Sequence, residues 1–283
     1  MANVWLDRRV LCFAHQGGAK EGPSSTLRAM RHAAAAGSDA LELDVHATAD
    51  GHLVVCHDAT VDRTTAGAGA IATLTLDQLR SLDNAYWWVP GEVVNHDLPA
   101  DAYPLRGKAP VDGALGIATL DDVLEAFPTQ LLNLDIKQTA PAVAPYEQAL
   151  AASLRAHGRS DDVIVASFND LATDAFRIFA PEIATSAGTL ATANFWRAAH
   201  HDEALPEMTA VALQVPVETM GVTVCDAVLV EAAHRAGLAV HVWTIDDAEE
   251  MRRLVDLGVD GIISDVPSVL IAVLAEMGAT YHR

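Results

Sequence analysis

Short apolar, β-like runs alternate with alanine-rich, helix-like stretches from one end of this 283-residue chain to the other. Such alternation favours repeated βα units and a parallel sheet, because parallel strands need a crossover that a helix usually provides. The candidate strands are VLCFA, DALELDV, HLVVCHD, LLNLDI, DVIVASF, EIATSAG, AVALQV, LAVHVWTI and DGIIS. A closed barrel needs only eight of these nine, so we expect one run, with AVALQV the first candidate, to be misread or to lie outside it.

Two architectures fit this alternation, a closed barrel and an open doubly wound sheet. The first strand-like run is not followed by the glycine-rich fingerprint of a dinucleotide-binding sheet. A length of 283 residues with 51% apolar residues suits one barrel. The sequence therefore predicts an α/β fold, a TIM (β/α)8 barrel, as a single domain over residues 1–283.

Helical patterns fall between the strand-like runs, in SSTLRAMRHAAAAG, TLDQLRSL, TLDDVLEAF, YEQALAASLRAHG, VLVEAAHRAG and DAEEMRRLVDLG. In the first of them we expect Ser24 or Ser25 to cap the helix and Gly37 to end it. About 70 residues separate His57 from the next strand-like run at Leu131, roughly twice what a helix and two loops require. We expect an insertion after the third strand, at roughly residues 66–117, that lies over the catalytic mouth.

Acidic residues outnumber basic ones by 38 to 18, which gives a formal net charge of −20. This balance disfavours nucleic acid and anionic membranes as partners, because both need a positively charged binding surface. An anionic substrate would meet a repulsive field. A phosphate pocket in this chain therefore needs local positive charge, and a bound metal ion is the simplest source.

The amino-terminal segment, MANVWLDRRVLCF, predicts neither a secretory signal nor a membrane span, because it is short of apolar residues and interrupted by charges. No other run reaches membrane-spanning length without a charge. The three cysteines, Cys12, Cys56 and Cys225, lie in or beside apolar segments, as reduced core thiols do, and none has a partner at zinc-ligand spacing. These features predict a cytoplasmic protein and leave its oligomeric state open.

Glu42 and Asp44 are two residues apart in the strand-like run ALELDVHA, so their side chains point to the same face, about 6 to 7 Å apart along the backbone. The apolar residues between them would face the helices. Two carboxylates in a low-dielectric interior repel each other unless a cation joins them, and Mg²⁺ and Ca²⁺ prefer carboxylate oxygens. The alternative is a pair that lies at a strand end, solvated or bound to arginine.

Three other strand-like runs also end in polar, titratable residues. VLCFAHQGG ends in His15, HLVVCHD ends in His57, and LLNLDIKQ places Asp135 and Lys137 two residues apart. A single histidine at such a position is most often structural, but the active site of a barrel lies at the carboxyl ends of its strands. Two histidines beside a metal ion and a lysine suit displacement at phosphorus, with one histidine as base and the other as acid.

These motifs resemble the glycerophosphodiester phosphodiesterase family of phospholipase-C-like barrels. The resemblance covers nearly the whole chain and rests on AHQGG, ELDVHATADGHLVVCHD, VDRTT, TLDDVL, NLDIK, HVWTIDD and GVDGIISDVP. It implies a metal-dependent enzyme that hydrolyses a small-molecule glycerophosphodiester to sn-glycerol 3-phosphate and an alcohol. It also implies one Mg²⁺ or Ca²⁺ ion on Glu42, Asp44 and Asp135, with His15 and His57 as general acid and base. Lys137 would contact the phosphate, and Trp243 would form a wall for the substrate.

The chain departs from the family pattern at three places. Gln16 stands where the family usually has an arginine that contacts phosphate, and a neutral amide cannot replace a bidentate guanidinium. Lys20 is the nearest candidate to compensate. Ser24-Ser25-Thr26 replaces the usual Glu-Asn-Thr, and Asp135 replaces the usual glutamate. These changes leave the metal site and both histidines intact but alter the phosphate and headgroup contacts, so they concern the substrate more than the chemistry. With the residues that the resemblance implies, the predicted substrate-binding residues are Gln16, Lys137 and Trp243.

Three functions remain open at this point. The first is hydrolysis of glycerophosphodiesters. The second is a lysophospholipase D-type or cyclising reaction on a larger lipid diester, whose apolar part the aromatic residues Tyr86, Trp87 and Trp88 could cover unless they form local core. The third is a barrel that binds phosphodiesters without turnover, which two retained histidines argue against.

Overall fold

The alternation of strands and helices is present throughout the computed structural model, which describes residues 3, 5, 6 and 10–280. The strands are β1 Leu11–His15, β2 Ala40–Ala47, β3 Leu53–Val55, β4 Leu131–Ile136, β5 Val163–Ala166, β6 Ala184–Thr185, β7 Ala212–Pro216, β8 Glu218–Thr219, β9 Val222–Thr223, β10 Ala239–Trp243 and β11 Gly261–Ser264. The helices are α1 Leu27–Ala36, α2 Leu76–Arg80, α3 Leu120–Ala126, α4 Glu147–Ala156, α5 Asp170–Phe179, α6 Thr189–His200, α7 Ala227–Arg235, α8 Ala248–Leu257 and α9 Pro267–Glu276.

Eight of the strands form a nearly closed parallel barrel. The pairing order is β6-β5-β4-β2-β1-β11-β10-β7. Between the two end strands, a parallel bridge joins Ser186 to Ala212, and the Ala187 N–H donates to the Ala212 carbonyl at 2.9 Å. The predicted TIM-barrel fold is therefore confirmed.

Of the nine predicted strand-like runs, the one that lies outside the barrel is HLVVCHD, which supplies β3, and the expectation for AVALQV was wrong. AVALQV supplies β7, which pairs in parallel with β10 over five residues. In contrast, β3 pairs antiparallel with β2, with Val55 opposite Val45 and Leu53 opposite Ala47. The connection between β2 and β3 is too short for a helical crossover, so it can only close a hairpin.

All six predicted helices are present, but the cap of the first differs from the prediction. Thr26, not Ser24 or Ser25, accepts the Ala29 N–H on its side-chain oxygen, and Gly37 ends the helix in the left-handed conformation as predicted. Ser25 has a φ of 58°, which keeps it out of the helix. Three helices, α5, α6 and α9, were not predicted; α9 is apolar on most of its positions, so its sequence lacks the polar face of an amphipathic helix.

Alternation along β2 divides its side chains between the helices and the barrel interior. Leu41, Leu43 and Val45 are fully buried in one core cluster with residues of α1, α3 and α4. Glu42 and Asp44 point the other way, as the period of two predicts. Burial of the apolar set fixes the register of β2 and thereby fixes where both carboxylates lie.

The insertion between β3 and α3 has two small apolar cores of its own. One surrounds Ile71 and Leu79, and the other surrounds Trp88 and Leu115. The indole N–H of Trp88 donates to the carbonyl of Ala19 at 3.1 Å, which ties the insertion to the loop after β1. The insertion is therefore packed against the end of the barrel where β1 opens.

An aromatic cage around Arg106 stabilises this insertion. The guanidinium carbon lies 3.6 Å from the ring centre of Tyr103, 4.4 Å from that of Tyr86 and 4.5 Å from that of Trp87. Since Trp88 is buried in the same segment, the alternative that these aromatic residues form local core is the correct one.

We expect Arg106→Ala to destabilise the insertion by about 1–3 kcal/mol, because it removes several cation–π contacts and the packing of the arginine stem. Hydrogen exchange of residues 83–115 would measure the loss as faster amide exchange in that segment. Arg80→Ala is the matched control, since Arg80 forms only an exposed ion pair at 3.8 Å. Equal exchange in both variants would contradict a structural role for the cage.

Candidate active site

A cavity of about 570 Å³ opens at the carboxyl ends of the barrel strands. This is the end where barrel enzymes carry their activity. Most of the predicted site residues line it: His15, Glu42, His57, Asp135, Lys137 and Trp243. The structure thus brings together side chains that lie more than 200 residues apart in the sequence.

Strand register places the acidic residues side by side. His15 is the register partner of Glu42, and Asp44 is the register partner of Asp135 in the adjacent parallel strand. Neighbouring parallel strands are about 5 Å apart, so side chains at paired positions on the same face are in contact range. Asp44 is fully buried beneath the cavity, and Asp135 is 6% exposed.

Lys137 neutralises part of this acidic cluster. Its ammonium lies 3.0 Å from Asp44 Oδ1 and 3.4 Å from Asp135 Oδ2. Burial alone would lower the pKa of Lys137, but the charges of Asp44 and Asp135 outweigh burial and raise it. Burial raises the pKa of Asp44 and of Asp135, and the charge of Glu42 raises that of Asp44 further. One cation therefore does not balance three neighbouring carboxylates.

The carboxylates retain unused binding capacity. Among the described residues, neither Asp44 Oδ2 nor Asp135 Oδ1 has a hydrogen-bond partner, although both atoms are buried. Within residues 3, 5, 6 and 10–280, no three His, Cys, Asp or Glu side chains lie close enough together to form a ready-made metal site. Unpaired buried carboxylate oxygens fit a hard divalent cation, which would draw Glu42, Asp44 and Asp135 together.

His15 ends β1 and is oriented by an aspartate. Its Nδ1 lies 2.7 Å from Asp265 Oδ1, and its Nε2 lies 3.8 Å from Glu42 Oε2. Burial alone would lower the pKa of His15, but the hydrogen bond to Asp265 and the charge of Glu42 raise it to about 9. Nothing in the sequence context of Asp265, in the segment ISDVP, identified it as the partner of His15.

His57 follows β3, and the hairpin returns it to the cavity. The Cys56 N–H donates to the Asp44 carbonyl at 3.0 Å, which holds this turn against β2. His57 Nδ1 lies 2.7 Å from Asp58 Oδ1, and Arg63 donates to the other oxygen of Asp58 at 2.6 Å. These hydrogen bonds, from His57 first and then Arg63, lower the pKa of Asp58. Asp58 thus links the ring of His57 to the guanidinium of Arg63.

The two histidines are neighbours on the polar side of the cavity. Their ring centres are 5.9 Å apart, and the ring planes are nearly perpendicular. Each ring has its Nδ1 bound to an aspartate, so a substrate would be contacted by Nε2, which in His15 also lies 3.1 Å from the Gln16 amide nitrogen. This arrangement can take a proton on one side of a reacting group and give a proton on the other.

A tight turn after His15 holds the first histidine in place. Gln16, Gly17 and Gly18 all have positive φ, at 52°, 82° and 88°. A Cβ atom on Gly17 would lie 3.0 Å from Met30, and one on Gly18 would lie 2.9 Å from Pro267. Both glycines are therefore required by backbone conformation and by close packing.

The side chain of Gln16 lies beside His15. Its amide nitrogen is 3.1 Å from His15 Nε2, and its buried amide oxygen has no hydrogen-bond partner among the described residues. Exchanging the two ends of the amide would place this oxygen to accept from a protonated His15. Lys20, the candidate to replace the missing arginine, instead forms an ion pair with Asp246 at 2.8 Å.

Comparison with known proteins identifies the family. A model of the glycerophosphoryl diester phosphodiesterase family matches residues 15–269. The chain belongs to this family. A glycerophosphodiester phosphodiesterase from Caldanaerobacter subterraneus is 30% identical over 274 residues, which cover 95% of this chain and 100% of that protein. One from Bacillus subtilis is 28% identical and covers 94% and 87%. The chain is accordingly a phosphoric diester hydrolase.

Solved structures of the glycerophosphoryl diester phosphodiesterase family share the fold. A domain from Mycobacterium tuberculosis has a TM-score of 0.77 at 21% identity and covers 95% of this chain and 99% of that one. A phosphodiesterase from Oleispira antarctica, solved in complex with the product sn-glycerol-3-phosphate, has a TM-score of 0.71 at 23% identity, with 94% and 97% covered. In our chain, the longest helix among the described residues has 12 residues, so none of them is long enough to cross a bilayer.

Proposed function

We propose that this chain hydrolyses glycerophosphodiesters to sn-glycerol 3-phosphate and an alcohol, with one divalent cation, Mg²⁺ or Ca²⁺, on Glu42, Asp44 and Asp135. The observation that carries the proposal is the pair of aspartate-bound histidines that line one cavity with ring centres 5.9 Å apart, next to an acidic cluster with unpaired buried oxygens. When bound, the cation would neutralise charge on the phosphate oxygens.

His15 and His57 supply general acid and base catalysis. The base takes a proton from water as the water oxygen bonds to phosphorus, and the acid gives a proton to the alcohol oxygen as its bond to phosphorus breaks. Asp265 and Asp58 hold the two rings in orientation. With ring centres 5.9 Å apart, the two histidines are close enough to serve the attacking and the departing oxygen of one phosphate group.

Three further residues position the substrate in this proposal. Lys137 contributes positive charge beside the phosphate, as its contact with the cavity supports. Gln16 offers an amide in place of the guanidinium that the family usually has. Trp243 packs edge-on against Phe168, with ring centres 5.5 Å apart, and so forms a firm wall for the substrate.

The test is release of sn-glycerol 3-phosphate from glycerophosphocholine and glycerophosphoethanolamine, measured with Mg²⁺, with Ca²⁺ and with EDTA. We expect release with at least one cation, a loss of at least about 100-fold in EDTA, and recovery when the cation is restored. Undiminished release in EDTA would contradict the metal site. No release by protein shown to bind the cation would contradict the glycerophosphodiester substrate.

A cyclising reaction is the second candidate, because a substrate hydroxyl next to the phosphodiester could replace water. The same base would then take its proton from that hydroxyl, and the product would be a cyclic phosphate. Hydrolysis in ¹⁸O-labelled water separates the two reactions. Label in the first phosphate product indicates direct attack by water, whereas an unlabelled cyclic product indicates attack by the substrate.

A further inference from the structure

The catalytic cavity is divided into a polar side and an apolar side. The polar side is formed by the histidines, carboxylates and lysine on β1, β2, β4 and the turn after β3. The opposite side, which we term the apolar lobe, is formed by the ends of β5, β6 and β7, the helix α6 and the β8–β9 hairpin. Its lining is mostly apolar and includes Ala187, Ala193, Trp196, Pro216, Met220 and Val222, with Thr189, Thr192 and Thr219 between them. Glycerol and small polar alcohols would gain little binding energy from contact with such a surface.

One wall of the apolar lobe is held rigidly. The indole of Trp196 stacks on the ring of His200 at 3.9 Å between ring centres. His200 Nε2 in turn lies 2.8 Å from Asp226 Oδ2, at the cap of α7. Trp196 is therefore fixed from behind by another side chain and presents a preformed apolar surface to the cavity.

The opposite rim carries Met220, a residue whose presence is not explained by any contribution to the stability of the fold. The β8–β9 hairpin is closed by Met220 and Gly221, both with positive φ, at 50° and 78°. Glycine or asparagine is favoured at such a turn position, whereas Met220 is strained there and is 100% exposed. It gains no burial in return. A flexible methionine that lines the cavity mouth is suited to contact an apolar ligand of variable shape.

Phe168 and Trp243 line the same cavity and contact each other, with ring centres 5.5 Å apart. The ammonium of Lys137 is 5.7 Å from the centre of the Phe168 ring. Phe168 is also 57% exposed, and Leu190 at the start of α6 is 65% exposed near the same end of the barrel. An apolar path thus leads from the phosphate-contacting lysine to the outside.

We propose that the substrate is a phosphodiester with one long acyl or alkyl chain on one of its alcohols, and that this chain occupies the apolar lobe. This inference rests on the proposed phosphodiesterase activity and specifies its substrate class. The formal charge of −20 favours a zwitterionic lipid, such as a choline or ethanolamine diester, over an anionic one. With a lysophospholipid, water adds to phosphorus, the bond from phosphorus to the choline oxygen breaks, and acylglycerol phosphate and choline are released.

The test compares glycerophosphocholine with lysophosphatidylcholines of increasing chain length, all below their micelle concentrations. Each methylene that enters the lobe increases affinity by up to about fourfold. We expect kcat/KM to rise by about 10- to 100-fold from glycerophosphocholine to the octanoyl compound and then to level off as the lobe fills. A diester of glycerol phosphate with a long-chain alcohol is assayed in parallel. Its chain is on the other alcohol, so the products formed from the two kinds of substrate show which of the two alcohols carries the chain.

Two variants test the location of the chain. Ala193→Trp fills the lobe, and Met220→Gly removes the rim side chain while placing the favoured residue in the turn. We expect each to lower kcat/KM for the octanoyl compound, by about 10-fold or more for Ala193→Trp and by about threefold for Met220→Gly, with glycerophosphocholine unchanged within twofold. Val111→Ser, a change at an exposed residue of the insertion that does not line the cavity, is the control.

Binding separates this inference from the proposed activity. Dodecylphosphocholine and hexylphosphocholine, used as monomers, report chain binding through tryptophan fluorescence without turnover. Tighter binding of the longer compound, weakened by Ala193→Trp, supports the lobe even if no diester is hydrolysed, in which case only the proposed activity fails. Hydrolysis of glycerophosphocholine with no effect of chain length on turnover or binding would overturn the inference.

Discussion

Replacing His15 or His57 with alanine is expected to lower kcat by about 10²- to 10⁴-fold each, since in the proposed mechanism each ring transfers one proton. Stopped assays of sn-glycerol 3-phosphate release, with the substrate that proves best, would measure the loss. KM should change much less than kcat, because neither ring supplies most of the binding.

The matched control is His52→Ala, which removes an exposed histidine of the β2–β3 turn. It should leave kcat within twofold of the wild type. We also expect the double variant to lose less activity than the product of the two single losses, because residues that act in one step are not additive. A variant of His15 or His57 that keeps more than a tenth of wild-type kcat, with its fold intact by circular dichroism, would contradict that residue's role.

Asp44→Asn is expected to change stability and activity in opposite directions. Without a cation, the fully buried Asp44 shares the single ammonium of Lys137 with Asp135 and also lies near Glu42. In Asp44→Asn, Lys137 keeps its contact with Asp135, so neutralising Asp44 should raise the melting temperature in EDTA by a few degrees, about 1 kcal/mol or more. The same change removes a proposed metal ligand. Activity with the cation should fall by at least about 100-fold.

The metal-induced change in melting temperature provides a second readout. A cation at 100 times its dissociation constant stabilises a folded protein by about 2.7 kcal/mol, which corresponds to a rise of about 5 °C for a chain of this size. We expect this rise in the wild type and in the control Asp256→Asn, which changes an exposed aspartate, but not in Asp44→Asn. An equal rise in all three proteins would place the cation elsewhere.

Gln16 stands where the family usually has an arginine, and the structure shows contacts of Gln16 that the sequence alone did not reveal. Gln16 is buried against His15 and Glu42, with its N–H donating to Glu42 Oε2 at 3.3 Å. Lys20 is bound to Asp246 and therefore does not replace the missing charge. In the proposed mechanism, positive charge for the phosphate comes from Lys137 and a bound cation. This loss of a polar headgroup contact is consistent with a substrate held partly through the apolar lobe.

Some features of the site could be predicted from local sequence because they depend on local periodicity. The period of two in ALELDVHA was sufficient to place Glu42 and Asp44 on one face, and the structure bears this out. The same reasoning misplaced the run around His57, because an apolar run looks alike in a barrel strand and in a hairpin strand. The length of the preceding connection was the available signal, since five residues cannot hold a crossover helix.

The sequence by itself determined the α/β barrel, the residues that meet at its mouth and the family, because alternation, strand-end chemistry and motif order are all properties of the linear chain. Only the tertiary structure decided the partners of those residues. Asp265 reaches His15 from 250 residues away, Lys20 pairs with Asp246, and the aromatic residues of the insertion enclose Arg106 rather than a substrate. Such contacts depend on how distant loops pack together, and no local pattern encodes that packing.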